Sequence, residues 1–276
     1  ELPVARRFSG VRRHAPLDAV EEAAAAGVDS LVGLGAGSAI DTAKAVSTRR
    51  GLPLVCVPTT YAGAEWTSYI GMRDERRGLK TGGSGARTVA IVYEPELTLT
   101  LSREQSGGTA MNALAHCVEA LYLGDLEQAR RGQAGIRRFL PLVLEDGGDR
   151  RARSGLLEAA RYAGEALSLR GLYLGHAMAQ ALGGRYGLPH GALNAICLPA
   201  AMRFNAEVAP LALEVVPVEV VEELAALAGY SRLRDLGVPA HELEEVAQAT
   251  AVRPGARANP RPASAEEIAE LLRSVW

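Results

Sequence analysis

Two stretches carry imidazoles at spacings that suit chemistry. In Thr109–Glu119, Asn112 and His116 are four residues apart and share a helical face, with Glu119 close to it. An amide oxygen and an imidazole one turn apart can share a cation. The same pair can equally be hydrogen-bonded to neighbours inside a helical core. The second stretch runs from His176 to His190, with Gln180 one turn after the first histidine. Gly183 and Gly184 are expected to stop its helix, and Pro189 fixes the backbone before His190. This unit is either half of a shared site or a helix end with two incidental histidines.

Two further stretches suit anion binding. Gly33-Leu-Gly35-Ala36-Gly37-Ser38-Ala-Ile-Asp41 follows an apolar run and opens a helix. Glycines let backbone amides approach a phosphate, and a helix N-terminus adds free donors and a favourable dipole. The spacing is GxGxGS rather than GxGxxG, so the standard Rossmann fingerprint is absent. Locally, Ser38 also reads as an N-cap with Asp41 as its capping partner. Pro58-Thr59-Thr60-Tyr61-Ala62-Gly63-Ala64-Glu65 follows another apolar run. Its hydroxyls suit a pyrophosphate or ribose beyond a strand end, or simply a Thr-rich turn.

These stretches need a frame. Residues 1–105 alternate strand and helix: strands over 2–7, 30–34, 54–58 and 88–93, helices over 17–26 and 38–49. Continuous apolar strands separated by helices predict a parallel sheet covered on both faces. The polar, Gly-rich text over 66–87 predicts a hairpin or a loop. From 106 onward the chain reads as helices over 109–123, 126–144, 151–167, 172–182, 191–204, 217–228, 239–249 and 264–275. Arg253–Pro262 reads as a loop, and Ser264 with Glu267 has capping-box spacing. The fold class is therefore an α/β domain over 1–105 followed by an all-α domain over 106–276.

Composition narrows the function. With 276 residues and 48% hydrophobic content the chain can bury a sizeable core. A net charge of −2 gives no electrostatic case for nucleic acid or an anionic membrane. Cys56, Cys117 and Cys197 form no CxxC, so neither a disulfide framework nor a thiolate zinc site is indicated. No apolar run suits a membrane span or signal peptide, and a cytoplasmic protein is expected.

Several motifs in order resemble one family. Gly35–Lys44 resembles the GGGSxxDxAK signature of the iron-containing alcohol dehydrogenase superfamily. Pro58–Thr67 resembles PTTYAGSExT of its maleylacetate reductase branch, and Tyr93–Leu101 resembles that branch's YDPELTLTL. Met111–Tyr122 is close to MNALAHAVEALY, and Leu182–His190 and Asn259–Pro262 match further on. The resemblance covers essentially the whole chain. It implies a dinucleotide-binding α/β domain, an all-helical domain of dehydroquinate synthase-like architecture, and a cleft between them. Relative to that family the chain lacks the opening strand and helix, and with them the acidic residue that usually selects NAD over NADP.

The resemblance implies a reductase in aromatic catabolism that takes hydride from NAD(H) or NADP(H) to an oxo-acid or aldehyde, working as a homodimer. Gly35, Ala36, Gly37, Ser38 and Asp41 would hold the dinucleotide, with Thr59, Thr60, Tyr61, Ala64 and Lys80 beside it. Asn112, His116, His176 and His190 stand at the family's metal positions, and the three histidines are the implied catalytic groups. Asn replaces the family's Asp, so Fe or Zn is expected to bind weakly or not at all. Gln180 replaces a second histidine, and Ala177 replaces the lysine frequent in the branch. Arg185 is the expected substrate-carboxylate partner in their place. The alternatives are a metal-dependent alcohol dehydrogenase, a dehydroquinate synthase-like lyase and a non-catalytic homologue.

Overall fold

In the chain's N-terminal part, two helices and three apolar runs assemble a small sheet. The computed structural model describes residues 4–74 and 79–276, without the side chains of Arg73, Leu79, Lys80 and Thr81. Helix α1 (Leu17–Ala24) leads to β1 (Leu31–Gly35), α2 (Gly37–Arg50) and β2 (Pro53–Pro58). The hairpin β3 (Tyr69–Asp74) and β4 (Leu79–Ser84) is antiparallel, as the polar stretch predicts. Strand β5 (Arg87–Ile91) completes a parallel sheet of order β1-β2-β5. No strand forms over residues 4–7, and the start of that expected strand lies outside the described residues.

The sheet departs from the expected double cover. Gly33, Leu54 and Cys56 are buried, and a Cβ on Gly33 would sit 2.9 Å from the Ala43 Cβ of α2. Val32, Leu34 and Val89, on the opposite face, are exposed. Among the described residues both long N-terminal helices lie on one side, so apolar runs read as doubly buried are covered once.

Register decides where the site forms. Gly35 pairs with Pro58, so β1 and β2 end side by side at their carboxyl ends. The Thr59 N–H donates to the Gly35 carbonyl (3.1 Å), tying the two following loops together. Ligands in open parallel sheets bind beyond such ends.

The helical part is built on α3 (Arg103–Leu121), opened by a reciprocal capping box of Ser102 and Gln105. Around it stand α4 (Glu127–Glu145), α5 (Arg150–Arg170), α6 (Leu174–Tyr186) and α7 (His190–Asn205). Short α8 (Pro210–Val215) and α9 (Val218–Leu227) follow, then α10 (Leu243–Ala251), α11 (Pro254–Arg257) and α12 (Ala265–Ser274). The capping box of Ser264 and Glu267 forms as the sequence predicts. Gly183 and Gly184 do not stop α6. Backbone hydrogen bonds carry the helix to Tyr186, and Gly187, at φ 67°, ends it. None of the described helices is long and apolar enough to cross a membrane.

From Ala110 to Leu121 helix α3 is buried on every side, so its polar residues there must find partners inside the protein. An orphaned buried polar group costs about 1–3 kcal/mol. The crossing of α3 and α7 sets who those partners are. A Cβ on Gly191 would sit 2.1 Å from the Gly108 carbonyl oxygen, so only glycine allows this approach. His190 is next to that contact in sequence, and Asn112 is one turn beyond Gly108.

Candidate active site

A cleft of about 1600 Å³ runs between the sheet's carboxyl edge and the helical part. One end is lined by Ala36, Gly37, Ser38 and Thr60. Ala36 is the extended N-cap of α2 and offers no capping side chain, so the Gly37 and Ser38 amides keep their donors while the Ala39 N–H turns back to the Ala36 carbonyl (2.8 Å). Gly37 has open space where a Cβ would stand. Backbone amides at a glycine-flanked, uncapped helix start fit a dinucleotide pyrophosphate. Ser38 is inside the helix rather than its cap, and its Oγ accepts from the His14 N–H (2.9 Å). His14 and Ala15 adopt left-handed φ of 64° and 45°, a strained turn that lays Arg12–His14 beside α2.

Lys44 fastens the threonine-rich loop to α2. Its buried Nζ donates to the Ala64 carbonyl (2.8 Å) and the Thr67 hydroxyl (3.3 Å), and it pairs with Asp41 (3.5 Å). Burial pulls the Lys44 ammonium below its usual range, against the opposing pull of Asp41. Asp41 is therefore the lysine's counter-ion on the cleft wall, not the capping partner of Ser38. The loop continues into buried Glu65, which accepts from the Tyr93 hydroxyl (2.8 Å), while Trp66 Nε1 donates to that same oxygen (2.6 Å).

The other end of the cleft holds the imidazoles. His116 and His176 stack with centroids 4.8 Å apart, and His190 is 5.7 Å from His176. Glu119, fully buried, organises His176: one carboxylate oxygen accepts from Nδ1 (2.8 Å) and from the Tyr173 N–H (2.7 Å), the other from the His176 N–H (3.1 Å). This sets the Nδ1–H tautomer and leaves the buried Nε2 without a partner among the described residues. Burial first, and then the neighbouring His176, push His116 well below the ordinary histidine range, so His116 is neutral near pH 7.

Asn112 spans the cleft. Its Nδ2 donates to the Ala62 carbonyl (2.9 Å) and lies 3.4 Å from His116 Nε2, while its Oδ1 accepts from Asn194 Nδ2 (2.6 Å). An aspartate could not donate to Ala62. Asn194 also lies 3.2 Å from His190 Nε2.

Of the expected site residues, Ala36, Gly37, Ser38, Asp41, Thr60, Ala64, Asn112, His116, His176 and His190 line the cleft. Gln180 and Ala177 line it as well. Gly35 and Thr59 stand behind it, joined by their backbone bond. Tyr61 is a correction: its ring is fully buried in the helical core, with its hydroxyl accepting from Arg153 (3.2 Å). Arg185 is a second correction. Its guanidinium is held outside the cleft by Glu242 (2.5 Å) and Glu245 (2.7 Å) of the 240–251 segment. Helix α6 runs one turn further than the glycines suggested, which carries Arg185 onto that acidic neighbour. The expected cofactor contact of the Lys80 side chain lies outside the described residues.

Sequence reasoning missed Asn194, although four residues after His190 in a helix is a readable spacing. It also missed Arg253, which had no signal beyond a proline-rich loop.

Residues 107–276 match the family described as Fe-containing alcohol dehydrogenase, C-terminal, and residues 1–93 match iron-containing alcohol dehydrogenase. The chain belongs to the iron-containing alcohol dehydrogenase family. It is 34% identical to a maleylacetate reductase of Sphingobium indicum, over 96% of this chain and 80% of that protein. A maleylacetate reductase of Pseudomonas knackmussii is 33% identical over 99% and 82%. The solved maleylacetate reductase of Agrobacterium tumefaciens superposes with a TM-score of 0.87 at 32% identity, over 98% of this chain and 81% of that one. The family member is thus an oxidoreductase of the maleylacetate reductase branch, spanning about four-fifths of these relatives' length.

The iron of the family name does not fit the arrangement seen here. The His116 and His176 rings are nearly parallel, at 13°, so their nitrogens do not converge on one point. Asn112 Oδ1, the remaining hard ligand, is taken by Asn194. Among the described residues no group of three His, Cys, Asp or Glu side chains is placed to hold a metal ion.

Proposed function

We propose that this protein is an NAD(P)H-dependent reductase of an oxo-acid of the maleylacetate type, giving 3-oxoadipate in that case. The observation that carries the reading is one continuous cleft, with an uncapped glycine-flanked helix start at one end and Glu119-oriented His176 at the other. Bound nicotinamide would supply hydride to an activated alkene or carbonyl. The backbone of Gly35–Ser38, with Thr60 and Ala64, would hold the dinucleotide. His176 Nε2, oriented through Nδ1 by Glu119, is the atom at which a proton can be held or passed to the developing enolate. His116, kept neutral by burial, offers a ring nitrogen without adding charge beside it. Asn112 and Asn194 position His116 and His190.

This reading divides the chain into a dinucleotide-binding part over 1–105 and a catalytic helical part over 106–276. It carries with it a cytoplasmic homodimer acting on a small oxo-acid or aldehyde. The test is oxidation of NADH and NADPH by purified protein with maleylacetate, with and without a chelator. Turnover that survives the chelator is the expected result. Protein that neither binds nor oxidises either coenzyme overturns the proposal, and turnover abolished by the chelator returns the function to a metal-dependent alcohol dehydrogenase.

A further inference from the structure

With Arg185 removed from the cleft, an oxo-acid lacks an obvious counter-ion, yet the cleft wall is not short of positive charge. Among the described residues Arg12, Arg13, Lys44, Arg170 and Arg253 line it, against the carboxylates of Asp41 and Glu104 only. The chain as a whole carries a net charge of −2, so the excess is local to the cleft. Lys44 is already paired with Asp41, and Arg12 with Asp18. Arg12 and Arg13 belong to the strained turn beside α2, at the dinucleotide end. Arg170 and Arg253 stand at the other end, with His176 and Tyr173.

Arg253 differs from the other arginines of this end. Arg170 donates to the Leu123 carbonyl (3.5 Å). The side chain of Arg253 has no hydrogen-bond or ion-pair partner among the described residues, and its buried Nε is one of the few orphaned donors in the protein. Burial holds its guanidinium below the ordinary arginine range, and no carboxylate nearby offsets that. A half-buried guanidinium with no counter-ion is costly to keep unless a ligand completes it.

Its placement is built rather than incidental. Arg253 is the extended N-cap residue of α11, and Pro254 opens that turn. A Cβ on Gly255 would lie 2.9 Å from the Tyr173 carbonyl and 3.0 Å from that of Leu172. The glycine therefore lets the 253–255 turn lie directly on the start of α6, the helix that carries His176. The same residue pair, Leu172 and Tyr173, lines the cleft.

We infer that Arg253 is the specificity residue that binds a substrate carboxylate, in the role that sequence alone assigns to Arg185. This rests on the reductase reading above and names the group by which that site selects an anionic substrate. The planar guanidinium offers two parallel donors to a carboxylate, which an ammonium does not. Lysine at this position keeps the charge and loses the fork.

The test uses Arg253→Gln and Arg253→Lys in the full chain, with melting temperature checked first. In R253Q the KM for maleylacetate is expected to rise ~10- to 100-fold, from loss of charge-assisted hydrogen bonds. Its kcat and its KM for NADH stay within about threefold. R253K falls between wild type and R253Q. A non-reactive six-carbon dicarboxylate, adipate, gives an equilibrium readout by calorimetry, and its affinity falls in the same order. A KM for maleylacetate that does not move, or one that moves together with the KM for NADH, overturns the assignment, as does equal adipate affinity in wild type and R253Q. If wild type turns nothing over yet binds adipate through Arg253, the reductase reading falls and the carboxylate site stands.

Discussion

Glu119→Gln isolates the group that orients His176. The carboxylate accepts three hydrogen bonds: Tyr173 N–H and His176 Nδ1 at one oxygen, His176 N–H at the other. Glutamine is nearly isosteric but replaces one oxygen with a donor. If the amide nitrogen takes the place facing the His176 backbone, two N–H groups oppose each other and one buried donor is orphaned on each side. If it takes the other place, it opposes the Tyr173 N–H, and His176 must move its proton from Nδ1 to Nε2. Each orphaned buried donor costs about 1–3 kcal/mol, so the variant should lose about 2–5 kcal/mol of stability. The kcat should fall ~10- to 100-fold as His176 loses its fixed tautomer, with the KM for NADH nearly unchanged. Urea denaturation and steady-state kinetics measure the two effects. An E119Q protein with the wild-type denaturation midpoint and kcat would refute the reasoning, since among the described residues nothing else holds His176 Nδ1.

Other changes probe the remaining contacts. Arg185→Ala should leave kcat/KM within about twofold of wild type, because it breaks only exposed ion pairs; a large rise in substrate KM would restore it to the site. Asn112→Asp should lose about 1–3 kcal/mol through the acceptor–acceptor contact with Ala62, and its melting temperature should still not respond to Fe²⁺, Zn²⁺ or a chelator, because the His116 and His176 rings stay parallel. Metal analysis of that variant, against wild type, checks it. Gly191→Ala should cost at least about 1–3 kcal/mol, since its methyl group meets the Gly108 carbonyl, and thermal melting reads the loss. His116 takes up a proton in the unfolded chain below about pH 6.5 but resists it when folded. Stability is therefore complete above that pH and falls as pH drops, by up to ~1.4 kcal/mol per unit, a slope that urea midpoints between pH 8 and 5 can measure.

Most of the frame could be read from local pattern. The strand ends at Gly35 and Pro58 follow from apolar runs stopped by glycine or proline, and the hairpin follows from polar, Gly-rich text. The imidazoles were found by spacing, because a helix repeats its face every three to four residues. Partner choice was less legible. Glycines at 183 and 184 look like a helix stop, but tertiary packing carries α6 past them, and Arg185 turns toward Glu242 instead of the cleft. Tyr61 belongs to the threonine-rich loop after β2, yet its ring is drawn into the helical core. Arg253 shows the limit most clearly. Its importance comes from a turn packed against α6, some eighty residues away in sequence, and no local periodicity encodes that approach.

The Asn112 bridge also has a dynamic consequence. Its side chain is bonded to the threonine-rich loop on one side and to α7 on the other, so a single planar amide spans both walls of the cleft. Any outward swing of the Ala62 loop must break the Nδ2–H bond, and the freed donor is already 3.4 Å from His116 Nε2. Loop displacement and the hydrogen bonding of an imidazole are thereby geared together. A ligand that wedges the loop frees the Asn112 amide for the Nε2 side of the His116 ring, without touching the histidine.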